Sequence, residues 1–150
     1  MKRLKLQTGS NIVEFALILP LLLILVSGIV DLGLALYDKA LITNAAREGA
    51  RFGMVFGEAS IPGGGRPTQA LIVARVKQYL GIDAGHPKGY LVNFGPSGLG
   101  ISAVPDPAGG SSGDKLTVTV TYTYYHYVML ITPLKGTTSN LTSVSVMRLE

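Results

Sequence analysis

No cysteine occurs among the 150 residues, which excludes a disulfide scaffold, a thiolate metal site and a lipid-modified N-terminal cysteine. Charge is scarce as well. Only 15% of the residues are charged, against about a quarter in ordinary soluble chains. The net charge of +4 is concentrated at one end: Lys2, Arg3 and Lys5 fall within the first nine residues with no acid among them, so the remainder is nearly neutral. A nucleic-acid partner is therefore not expected. Histidine is sparse: His86 sits in a Gly-Pro loop and His126 in a strand pattern, with no cysteine and no acid cluster close by in sequence. Neither a metal site nor a nucleophile–base pair can be assembled from them, so the expectation is a protein that is not an enzyme and holds no cofactor.

What the chain does have is apolar character, 47% of its residues, and most of it lies near the start. The sixteen residues between Glu14 and Asp31 carry no charge. As a helix they reach roughly 24 Å, short of the ~30 Å hydrocarbon layer of a bilayer, whereas a helix taken back to Ser10 reaches about 31 Å and brings Glu14 into or beside that layer. The apolar side chains from Phe15 to Val30 together favour insertion by roughly 4 to 7 kcal/mol, against ~2.5 to 3.5 for a charge at mid-membrane. The segment inserts despite its acid. A carboxylate at that depth normally meets a partner or a functional path, so Glu14 is a candidate site residue; the alternative is a solvated position among the lipid headgroups. Pro20 lies inside the run, removes one helical hydrogen bond, and predicts a bend or loosened turn near residues 16–20.

The basic residues 1–9, ending in Gly9, should remain cytoplasmic while everything after Val30 is exported. The same outline fits a secretory signal peptide with Gly33-Leu34-Ala35 as its cutting site. Against that stand Glu14, which interrupts the apolar region, and Leu34, Leu36 and Leu41, which carry the pattern past the cut. From Asp31 to about Phe56 the helix should continue with an apolar stripe of Leu34, Leu41, Ala45, Phe52 and Val55. Beside it Ile42, Ala46, Gly49 and Gly53 form a row of mostly small residues, which lets another backbone approach, whether the chain's own sheet or a neighbouring helix. Arg47 and Arg51 repel one another, softened by Glu48.

Residues 57–67 read as a loop. Its three glycines lack the Gly-Lys-Ser/Thr sequel and the preceding strand of a phosphate cradle. Thr68 should cap a short helix to Leu80 with Ile72, Val73, Val76 and Tyr79 on one face, ended by Gly81. Residues 90–94 and 99–104 are strand candidates around a Gly95-Pro96-Ser97-Gly98 turn. Residues 105–114 are a loop whose Asp106 and Asp114 lack the regular oxygen spacing of a calcium site. Residues 115–131 alternate: Leu116, Val118, Val120, Tyr122 and Tyr124 face one way and Thr117, Thr119, Thr121 and Thr123 the other, with both faces apolar or aromatic from Tyr125 onward. Pro133 and Gly136 turn the chain into a last strand, 141–149.

Gly9-Ser10-Asn11-Ile12-Val13-Glu14-Phe15 resembles the processing motif of type IV-like prepilins. The longer run VEFALILPLLLILVSGIVDLGLALYDKALITNAAREGARFG, together with the C-terminal SVSVMRLE, resembles TadE-like pilins of the tight-adherence (Tad, or Flp) pilus. The resemblance implies cleavage between Gly9 and Ser10 by a prepilin peptidase, with Glu14 and Phe15 in the mature N-terminal motif. Cleavage leaves an α-amine on Ser10, charged at neutral pH. Among staggered parallel helices, Glu14 of one subunit reaches that amine on the next, and the pairing selects register more than it adds stability.

The expected fold is α+β and pilin-like: a basic leader at 1–9, a long helix at 10–56 with residues 10–36 embedded in the membrane, and at 57–150 an exported head of one short helix and an antiparallel sheet. The candidate residues are Gly9 and Ser10 for processing, Glu14, Phe15 and Pro20 for assembly, and Ala46, Gly49 and Gly53 for helix packing. Other pilin subunits, the peptidase, an assembly platform and the lipid bilayer are the expected partners. The expected location is the inner membrane, single-pass, and then a surface pilus, as minor pilin, assembly factor or main subunit. The alternative is a membrane-tethered or secreted binding domain that never polymerises.

Overall fold

The computed structural model describes residues 7–55, 65–83, 86, 89–92, 98–126 and 138–149, with only the backbone described at 7–10. The first element, α1, runs unbroken through Pro20 from Gln7 to Met54, 48 residues, or about 72 Å at helical rise. Its two halves differ. Side chains from Ile12 to Val30 are mostly bare, Leu17 at 75% and Ile29 at 64% exposed, whereas Ile42, Ala45, Ala46 and Ala50 are fully buried.

The head packs on that second half. Helix α2, Gln69–Tyr79, starts where Thr68 Oγ1 accepts from the Leu71 amide at 3.4 Å. It stops at Gly81, whose φ of +70° a side chain would strain. Ile72 and Val76 are its buried residues. Tyr79, expected on the same face, is exposed instead, because Leu80 takes the buried position at the C-cap.

Three antiparallel strands follow, β1 (Gly100–Val104), β2 (Lys115–Tyr125) and β3 (Thr138–Arg148), in the order β1-β2-β3. On β2 the alternation reads directly as burial: Leu116, Val118, Val120, Tyr122 and Tyr124 turn inward. Each aliphatic one contributes ~1.5–3 kcal/mol on leaving water. The register sets Val120 beside Ile101 on β1 and Ser143 on β3. The part of the long alternation beyond His126, the 133–136 turn, and residues 95–97 of the expected hairpin turn lie outside the described residues.

One strand expectation is corrected. Tyr90, Leu91 and Val92 are turn and bend, not strand. The Tyr90 amide donates to the Leu80 carbonyl and the Val92 amide to a side chain of α1, so their hydrogen bonds go to helices and leave no ladder to join.

The small residues of α1 mark where the head presses closest. A Cβ built on Gly49 would stand 2.5 Å from Val76 Cγ2, and one on Gly53 would collide with Leu116 and Ile72. Gly28 has nothing within 4 Å. Gly49→Leu is therefore expected to lose about 1–3 kcal/mol by overpacking, while Gly28→Ala holds or gains stability through helix propensity. Thermal unfolding of the detergent-solubilised chain followed by the sheet signal checks both.

Candidate functional site

In the first half of α1, Gly9 and Ser10 lie in the opening turns of the helix. Glu14 and Phe15 are exposed, Phe15 at 62%. Glu14 has no partner among the described residues. No part of the most apolar 18-residue window of α1 is buried, and among the described residues α1 is the one helix long and apolar enough to cross a membrane. In the second half, Ala46, Gly49 and Gly53 face the chain's own α2 and β2. Candidate assembly residues and candidate packing residues thus occupy separate halves of one helix.

The boundary between the halves is a polar cluster that sequence spacing concealed. Asp31 is 6% exposed. The Tyr124 hydroxyl donates to Asp31 Oδ1 at 3.0 Å and also lies 3.2 Å from the Asp31 carbonyl. Asp31 Oδ2 stands 2.7 Å from His126 Nδ1, and His126 Nε2 stands 2.8 Å from Ser139 Oγ. His126, read from sequence as lacking an acid, has one 95 residues away. The order Asp–His–Ser is that of a nucleophile relay, but catalysis also needs oxyanion donors and a bound substrate beside the hydroxyl. What the contacts themselves accomplish is to tie α1, the end of β2 and the start of β3 into one junction.

Two further charges on α1 are spoken for within the head. Asp38 is buried with Oδ1 accepting from the Val92 amide at 3.0 Å, and Oδ2 has no partner among the described residues. Glu48 accepts from Arg51, 3.1 Å, and from Arg75 of α2, 2.9 Å. The Arg51 hydrogen bond chiefly, with Arg75 assisting against partial burial, holds its carboxyl below the usual range. The expected Arg47–Arg51 repulsion is thereby relieved for Arg51. Asp106 and Asp114 accept from backbone amides of Gln69, Ala108 and Ser111, so their carboxylates cap turns.

A family model described as TadE-like protein matches residues 9–51. Over most of α1, the chain is similar to TadE-like proteins. The match begins at the glycine of the processing motif and ends three residues short of the helix end, so it covers the bare half, the Asp31 junction and most of the head-facing stripe, and none of the head. The similarity points towards Tad pilus systems, and α1 has the length and apolar character to cross a membrane. No curated protein and no solved structure matches the chain significantly.

Burial raises the Asp38 pKa above its ordinary 3.8, against the Val92 amide, which lowers it. The unfolded chain then releases this proton first, so the stability Asp38 contributes is complete below pH ~3.8 and is lost as pH rises through the folded value. Asp38→Asn keeps the acceptor for Val92 and removes the charge. It is expected to raise the melting temperature at pH 7 and to bring less gain near pH 4, read by melting across that range.

Proposed function

We propose that the chain is a pilin-like subunit of a Tad pilus, structural or concerned with assembly. A prepilin peptidase removes residues 1–9, and the bare half of α1 anchors the exported head, residues 57–150, in the inner membrane. That same half then packs among other subunits' helices in a filament drawn through a membrane assembly platform. The observation that supports this reading is the division of α1 into an uncovered apolar half and a half sealed under its own head. An uncovered helix of this length requires either lipid or other helices, and a pilus subunit uses the two in turn.

Glu14 then has a defined task. In the bilayer its position near the edge keeps the cost modest. Within a filament core an unpaired carboxylate costs several kcal/mol, and the α-amine of Ser10 on a neighbouring subunit removes that penalty at one axial stagger only. Phe15 beside it and Pro20 one and a half turns further on give the packing its shape.

Mass spectrometry of the chain's N-terminus is expected to give Ser10 as first residue. Met1 would favour a permanent membrane tether that does not polymerise, and Leu36 a secreted domain. Glu14→Ala is expected to insert into the membrane normally and to be lost from sheared pili; incorporation at the wild-type level would remove Glu14 from the mechanism.

A further inference from the structure

We propose that the end of the head marked by Tyr125, His126 and Thr138 lies at the depth of the phospholipid headgroup layer while the chain is in the membrane. The inference rests on the membrane reading of α1 and adds to it the depth and orientation of the head.

Val30 is the last residue of the uncharged run and Asp31 follows at once. Asp31 is also the residue that Tyr124 and His126 grip, at 3.0 and 2.7 Å. Twenty residues from Asn11 to Val30 already span about 30 Å, the full hydrocarbon layer. When they are inserted, the C-terminal end of β2 is held at the bilayer surface by hydrogen bonds to α1. The strand direction agrees: Leu116 lies against Gly53 and Tyr124 against Asp31, so β2 descends α1 towards the membrane and β3 starts there at Thr138.

Surface chemistry at that depth suits lipid. On the side of α1 away from the head, Leu32, Leu36 and Tyr37 remain exposed at 62%, 61% and 48%. They extend the apolar face about 9 Å past Asp31, slightly more than one headgroup layer of roughly 5–7 Å, and a tyrosine is a residue favoured at that interface. No charge of α1 opposes this. Asp31 and Asp38 are buried, the half-exposed Lys39 donates its Nζ to the Thr142 carbonyl, and the next exposed charge after Glu14 is Arg47. Among the described residues the sheet shows the same gradient: Tyr125 and Thr138 at the low end are uncharged and exposed, while Lys115 and Arg148 pair across the strands at the far end. The segment of Asp83 and His86, both exposed, leads to Val92, whose amide meets α1 at Asp38, about two turns beyond Asp31.

The absence of native cysteine makes the test direct, since each introduced thiol is unique. Single variants Thr138→Cys, Ser112→Cys and Leu22→Cys, all at exposed positions, carry a fluorophore in the full chain reconstituted into phosphatidylcholine vesicles. Nitroxide lipids labelled at the headgroup or in the acyl chain serve as quenchers. The expected result is quenching of the 138 label by headgroup nitroxide several-fold stronger than that of the 112 label, with the 22 label quenched by acyl-chain nitroxide. Equal weak quenching at 138 and 112, with 22 still quenched, overturns the seated head and leaves the membrane helix intact. Loss of quenching at 22 overturns both.

Discussion

The Asp31 carboxylate, held by the Tyr124 hydroxyl and the His126 ring, fixes where a single helix changes its surroundings. On one side of it α1 is left mostly bare by the described residues; on the other, small and apolar residues are sealed beneath α2 and β2. Neither half would serve in the other's place. The bare half has no head to shelter it from water, and the covered half carries Glu48, Arg47 and Arg51, which lipid would reject. Losing the Asp31 junction would strand a buried acid and free the sheet from the helix at the same point.

The two acids that bracket the apolar run are handled in opposite ways. Asp31 is satisfied inside the molecule by groups 93 and 95 residues distant. Glu14 finds no partner among the described residues and stays exposed. An acid neutralised at home serves folding, whereas an acid exposed in an apolar setting is the one for which an assembly role is proposed. The TadE-like match spans both acids and stops short of the head.

Much of this was legible in the sequence, and the reasons are local. The α+β class, the capped helix after Thr68 and the inward face of β2 each follow from a period or a cap that a short window contains. What escaped was long-range. Asp31 and Asp38 look like ordinary surface charges on a helix, and nothing nearby announces that a tyrosine, a histidine or a loop amide will cover them. The segment at Tyr90 has strand composition, yet its amides are claimed by Leu80 and Asp38 before a ladder can form. His126 shows no acid within its own neighbourhood because its partner lies across the fold.

The most direct measurement is a photo-crosslink from the middle of the bare half. With a photoreactive side chain at Leu22, half exposed and remote from the head, the chain in isolated membranes should link chiefly to lipid. In sheared pili it should link to the N-terminal helix of another subunit. Lipid adducts alone, with none of the chain recovered in pili, would contradict the account.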